Sequence, residues 1–322
     1  MKRIIALLVS LSLMLTFTAC GESKKEVAEK DSYTVGICQL VQHEALDAAT
    51  KGFMDVLTAE FGENVTFLNE NASGDVQTCT TIVNNFVNKK VDLILANATP
   101  ALQAAANGTA DIPILGTSIT EYGTALGIDD FDGVVGSNIS GTSDLAPLDQ
   151  QAEMILELFP DTKTVSILYC TSEANSAYQV KIVKELLEEK GVTVTEAGFT
   201  DSNDVTSAAS KAAASDVIYI PTDNTAASCA TTIDGVIGDT PVIAGEEGIC
   251  SNCGVATLSI SYYDLGKTTG EMAVKILKGE AKIEEMKIEY TDAVKKYNKA
   301  KCEQLGIDTA DLESKGYVAI EG

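Results

Sequence analysis

From Tyr33 onward, short apolar runs rich in β-branched residues alternate with longer stretches whose apolar positions recur every three to four residues. Segments 34–38, 65–68, 93–96 and 112–115 read as strands, and 45–60, 76–88 and 101–107 as helices between them. The pattern then starts again. Strands are expected at 164–169, 192–196, 217–220 and 241–244, with helices at 145–158, 176–189, 204–214 and 226–236. Runs that are apolar at every position suit strands covered on both faces, and strict strand–helix alternation requires a parallel sheet. Beyond Gly254 the rhythm changes to a strand at 255–260, a helix at 262–277, a strand at 283–290 and a helix at 293–305.

The two series are copies of one another. YTVGICQ at 33–39 matches KTVSILY at 163–169, and SGDVQ at 73–77 matches SNDVT at 202–206. VDLILANATPALQAAA at 91–106 matches SDVIYIPTDNTAAS at 215–228, and IPILG at 112–116 matches TPVIAG at 240–245. A repeat of this length is a whole α/β lobe, far longer than a solenoid unit. The segments after Gly254 have no counterpart in the first copy and read as the chain crossing back between lobes. Crossings are expected near 140–144, 254–258 and 279–284. The lobes are then 33–142 plus 255–281, and 143–254 plus 282–322.

Ligands of open parallel sheets sit outside the carboxyl ends of the strands. That rule selects 39–43, 97–100 and 116–121 in the first lobe, and 170–175, 222–225 and 245–248 in the second. The triplet Thr222-Asp223-Asn224 interrupts an apolar strand and a small-residue helix. Capping needs one such side chain, and the cognate Asn97-Ala98-Thr99 has no acid. Asp223 therefore reads as a partner for a ligand ammonium, and the helix start after Thr99-Pro100 as a seat for a carboxylate. An acid on one lobe and a helix end on the other suit an amino-acid zwitterion.

Composition narrows the function further. Lys2 and Arg3, an apolar stretch at 4–17 and the small residues before Cys20 form a secretory signal at 1–19. The Thr18-Ala19-Cys20 junction resembles a bacterial lipobox, so Cys20 is the expected lipidation site and 20–32 a polar tether. A chain carrying 47 acidic and 23 basic residues is repelled by phosphate backbones, which excludes nucleic acid as a partner. His43 is the single histidine, and no G-x-S-x-G, P-loop or G-x-G-x-x-G accompanies it. Neither catalysis, a cofactor nor a metal is expected. Cys250-Ser-Asn-Cys253 is one CxxC without a second pair and falls in an expected loop, so a local disulfide or two thiols is favoured over redox chemistry.

QLVQHEALDAATKGF (39–53), DLILANATPALQAAA (92–106), NISGTSDLAPL (138–148), LYCTSEANS (168–176), YIPTDNTAAS (219–228), PVIAGEEG (241–248) and YYDLGKTTGEMAVKILKGE (262–280) together resemble bacterial ABC-transporter substrate-binding lipoproteins of the tryptophan/tyrosine type. The resemblance implies two doubly wound parallel-sheet lobes joined by a three-crossing hinge, the type I periplasmic-binding-protein architecture. It also implies a monomer, lipid-anchored outside the cell membrane, that closes on an amino acid and delivers it to a permease and ATPase. By the same resemblance Gln39, Thr99 and Ser118 contact ligand from the first lobe. Asn175, Thr222, Asp223, Asn224 and Glu246 do so from the second. A ligand-sensing receptor lipoprotein and an extracellular thiol-redox protein using Cys250 and Cys253 are the competing readings.

Overall fold

The computed structural model describes residues 30–320. The expected signal segment, Cys20 and most of the 20–32 tether lie outside the described residues. In the first series, strands β1 (Tyr33–Gln39), β2 (Val65–Asn71), β3 (Leu93–Asn97), β4 (Ile114–Ile119) and β5 (Ile139–Ser143) alternate with helices. These are α1 (Glu44–Phe61), α2 (Val76–Lys89), α3 (Thr99–Gly108) and α4 (Tyr122–Leu126). The second series has α5 (Leu148–Leu158), β6 (Thr164–Cys170), α6 (Ala174–Glu189), β7 (Thr193–Phe199), α7 (Val205–Ala212) and β8 (Val217–Ile220). It continues through α8 (Asn224–Ser228), α9 (Ala230–Ile237), β9 (Val242–Ala244), α10 (Glu247–Cys253) and β10 (Ala256–Ile260). The chain closes with α11 (Tyr262–Leu277), β11 (Glu289–Tyr290), β12 (Ala293–Tyr297), α12 (Lys299–Leu305), α13 (Thr309–Ser314) and β13 (Val318–Ala319).

These elements build two α/β lobes, as the repeat predicts. One sheet has the order β11-β5-β4-β3-β1-β2 and the other β13-β12-β10-β9-β8-β6-β7. Stripped of their edge strands, both run second-first-third-fourth-fifth in their own series. The order reverses between β1 and β3 in one lobe and between β6 and β8 in the other. A crevice opens at such a switch point because the helices on either side leave toward opposite faces.

The apolar runs pack as the two-face reading requires. Leu93 and Leu95 of β3 join Phe53 and Met272 on one face, while Ile94 and Ala96 join Phe86 and Leu102 on the other. All five residues of β3 and all six of β4 are buried. Helix α11 returns to the first lobe and lies against α1 at backbone contact. A Cβ on Gly266 would stand 2.0 Å from the Ala49 carbonyl oxygen, and one on Gly52 2.1 Å from that of Tyr263.

Five expectations need correction. Segment 293–305 is not one helix: its first five residues form β12, antiparallel to β10, and the helix starts at the Asn298 cap. β10 is buried throughout, so its free edge needs a partner, and Tyr297 enters the core at 2% exposure. Segment 283–290 is a 3-10 turn followed by the two-residue β11. The helix expected at 226–236 divides at Cys229 into α8 and α9, and the loop expected after Gly248 is α10. The crossings also fall later than expected. β10 belongs to the second sheet and β11 to the first, which places the second crossing at Ser261 and the third at residues 291–292.

Candidate functional site

Both switch points are lined by side chains from the selected loops. In the first lobe, Gln39 at the end of β1 is held inside its own lobe. It donates to the Val41 carbonyl (2.9 Å) and to Asp47 (2.7 Å), and accepts from the Thr50 hydroxyl (2.7 Å). Thr99 opens α3 without any side-chain cap, after Ala98 at φ 88°, and the first turn is buried. With Pro at the second position, the N–H groups of Thr99 and Ala101 have no intrahelical acceptor. Ser118 lies near the end of β4 in the left-handed region at φ 57°. Its hydroxyl is buried and has no partner.

In the second lobe the triplet is more fully used than the sequence suggests. Thr222 donates to the Gly245 carbonyl and its N–H meets Gln179. Asp223 Oδ1 caps α8 through the Ala226 N–H (2.7 Å), while Oδ2 accepts from the Cys170 N–H (2.6 Å) and the Ser176 hydroxyl (2.7 Å). Asn224 donates to Glu173 (2.6 Å). Capping thus takes the acid itself, and no member of the triplet is left over. Asn175 donates to Glu173 and to the Thr222 carbonyl (3.1 Å each), leaving its Oδ1 buried and without a partner. Glu246 caps α10 through the Gly248 and Ile249 N–H groups.

Three residues escaped sequence reasoning. Glu173 accepts from Asn175, from the N–H and side chain of Asn224, and from the N–H and hydroxyl of Thr225. It lay within the selected 170–175 loop, where its acid was a readable signal. Asp144 follows β5 and is 4% exposed. Its Oδ2 accepts from the hydroxyl of Tyr262, the first residue of α11, at 2.9 Å, and its Oδ1 is buried without a partner. Both belong to crossings between the lobes, where only hinge roles were sought.

The lobes touch across the crevice. His43 Nε2 lies 3.4 Å from Asn224 Oδ1, and the Ser251 hydroxyl donates to Glu44 at 3.3 Å. A pocket of about 160 Å³ opens at this seam, lined by Glu44, Ala45, Glu246, Gly248 and Tyr262 among others. Burial lowers the pKa of His43, keeping the ring neutral near pH 7. Burial raises Glu246 to about 7 and Asp144 to about 6, and burial followed by the nearby Glu173 carboxylate raises Asp223.

These shifts have a sign. A carboxyl whose folded pKa exceeds its unfolded value is penalised above the folded value, and the penalty fades as pH falls toward the unfolded one. The melting temperature is therefore expected to rise by a few degrees between pH 8 and pH 5, less the part that His43, buried neutral, takes back below its ordinary value of 6.5. Lower still, Asp75 and Asp216, held down by backbone N–H donors, reverse the trend. A melting temperature that falls steadily from pH 8 would contradict this assignment.

Cys250 and Cys253 sit in α10, toward the negative end of the helix dipole, and burial pushes the Cys253 thiol up to about 12. That environment opposes a reactive thiolate. Among the described residues no group of three or more His, Cys, Asp or Glu is arranged to hold a metal ion, and no helix is long and apolar enough to cross a membrane.

Residues 34–315 match the family model of the ABC transporter substrate binding protein. This chain is an ABC-transporter substrate-binding protein. Membership in that family makes it a non-catalytic component of transport. It is 37% identical over 269 residues to the tyrosine-binding protein of Clostridioides difficile, covering 82% of this chain and 77% of the relative. Two solved structures are similar to it over most of its length. An ABC domain from Streptococcus pneumoniae in complex with L-Trp is 31% identical, with a TM-score of 0.83 over 89% of this chain and all of that one. The ligand-free, open structure of a Clostridium difficile substrate-binding protein with adhesive properties is 38% identical, yet its TM-score is only 0.67 over 90% of this chain and all of that one.

Proposed function

We propose that this protein captures an aromatic amino acid between its lobes and delivers it to the permease and ATPase of an ABC importer, anchored to the membrane through lipidated Cys20. One observation supports the ligand class most directly. Polar groups that water would otherwise satisfy are buried and unpaired on both sides of the crevice: the Ser118 hydroxyl, Asn175 Oδ1 and Asp144 Oδ1. Buried polar atoms are almost always hydrogen-bonded, so a cluster of exceptions at two facing switch points marks where a small polar molecule completes the set. The tyrosine-binding relative and the L-Trp complex favour an aromatic side chain on that molecule. In this reading Thr99 and Ser118 take the carboxylate, while Asn175 and Thr222 contact the ligand from the second lobe. Gln39, Asp223, Asn224 and Glu246 act mainly by holding the loops that carry those contacts.

The chain contains no tryptophan, so bound tryptophan excited at the red edge of its absorption emits against a dark protein. Titration is expected to shift and intensify that emission. In parallel, ligand at about a hundred times its Kd adds about 2.7 kcal/mol, which raises the melting temperature by about 5–10 °C. If tryptophan, tyrosine and phenylalanine all leave the melting temperature unmoved, the aromatic assignment is lost. Lipid anchoring is checked separately, by whether Cys20→Ser releases the protein from cells.

A further inference from the structure

Four carboxylates are buried around the crevice, and only one has an oxygen to spare. Glu173 meets five donors, Glu246 two N–H groups of α10, and Asp223 three donors from its own lobe. Asp144 differs. Tyr262 occupies Oδ2, while Oδ1 is buried and unpartnered. A buried oxygen left in that condition is costly, and a cationic donor is the partner that compensates it best.

Position supports the same conclusion. The Asp144 N–H donates to the Ile119 carbonyl, and Ile119 pairs in register with Ser143. Ser118, with its own unpartnered hydroxyl, is therefore on the neighbouring strand end. The ammonium and carboxylate of an α-amino acid share one carbon, so their two seats must be close, as Asp144 and Ser118 are. Asp223 belongs to the other lobe and is enclosed by the N–H of Cys170, the Ser176 hydroxyl and its own helix.

We infer that Asp144, braced by the Tyr262 hydroxyl, is the residue that receives the ligand's α-ammonium, and that Asp223 is a positioning residue for the second-lobe loops. This deepens the amino-acid reading above and rests on it. Asp144 opens the first crossing and Tyr262 follows the second, so the ligand's positive end joins two of the three connections between lobes. Selectivity for molecules with a free amine follows from that single open oxygen.

The experiment is calorimetric titration of four proteins with tyrosine and with its deaminated analogue, 3-(4-hydroxyphenyl)propanoate, and likewise with tryptophan and indole-3-propanoate. The wild type is expected to prefer each amino acid over its analogue by about 30-fold or more, as for a charge pair out of solvent. In Asp144→Asn, affinity for the amino acid falls by a similar factor while that for the analogue barely moves, so the preference collapses. Asn keeps an acceptor for Tyr262 and the shape of the side chain. Tyr262→Phe, which removes only the brace, reduces the preference about threefold to tenfold and serves if the first variant folds poorly. Asp223→Asn lowers thermal stability and retains the preference in the folded protein.

A pH series gives a second readout. Wild-type affinity for the amino acid is expected to fall as pH drops below about 6, where Asp144 takes up a proton, and to fall clearly less in Asp144→Asn, where Glu246, Asp223 and His43 still titrate around the crevice. The neighbours facing Asp144 are the Thr120 hydroxyl just beyond β4, Tyr122 from α4 and Tyr262 from α11, with Glu246 acting on Tyr262 from the second lobe; both tyrosines are raised well above the usual tyrosine range by burial and neutral throughout. A preference for the amine that survives in Asp144→Asn, or is lost in Asp223→Asn instead, overturns the assignment while leaving amino-acid binding intact. Wild-type protein that binds neither amino acid overturns both readings.

Discussion

Asp223→Ala is expected to lower the melting temperature by about 5–15 °C at neutral pH. The Cys170 N–H, the Ser176 hydroxyl and the Ala226 N–H all lose their acceptor together, in a region where Asp223 itself is 1% exposed. A buried donor left unsatisfied costs about 1–3 kcal/mol. Part of that is offset, because removing the acid also removes a buried carboxyl whose ionisation burial already disfavours. A net loss of about 2–4 kcal/mol remains, and a protein of this size loses a few degrees per kcal/mol. The damage is local before it is global. Asp223 ties the end of β6 to the starts of α6 and α8, so the loops at 170–175 and 222–225 loosen first. Backbone amide exchange at Cys170 and Ala226 should therefore speed up by more than that of Leu95 in the opposite lobe. An alanine variant that melts with the parent and exchanges like it would show that the carboxylate holds nothing in place.

That role was hidden from sequence for a definable reason. Asp223 looks like a spare acid because two of its donors come from 53 and 47 residues away. Asp144 looks like a hinge residue because Tyr262 is 118 residues away. Local pattern reports whether a side chain can cap or bind; long-range pairing decides which it does. The strands were legible for the opposite reason. Their apolar runs need no partner in particular, only cover on both faces, and β8 begins and ends where the run VIYI does. Segment 293–297, AVKKY, suits a helix or a strand about equally, and the open edge of β10 settled it. Propensity gives way to tertiary context in such short segments. The loops at the two switch points were legible because the rule that selects them depends on strand ends alone. The distribution of work among their side chains depends on the packed structure.

Gly266→Val is expected to be among the most damaging single substitutions in the first lobe, lowering the melting temperature by about 10 °C or more. The added Cβ would meet the Ala49 carbonyl oxygen at 2.0 Å, with Gly52 of α1 as tightly pressed against the Tyr263 carbonyl oxygen (2.1 Å) and Gly270 of α11 less tightly against Val56 (2.8 Å). The obstacle is backbone, so no rotamer relieves it, and the helices must move apart by more than 1 Å. Overpacking usually costs about 1–3 kcal/mol when side chains can adjust; here they cannot, and the cavity opened beside Phe53 and Met272 adds to the loss. The consequence reaches the ligand, because α11 begins at Tyr262. A displaced α11 withdraws the hydroxyl that fixes Asp144, so preference for the amine should weaken together with stability. Gly235→Ala is the matching control. Gly235 lies inside α9, and a Cβ there meets nothing within 4 Å, so the higher helix propensity of alanine should stabilise the protein by up to about 1 kcal/mol. Parent-like melting and parent-like amine preference in Gly266→Val would mean that the two helices approach less closely than described, and that Tyr262 is positioned by something other than α11.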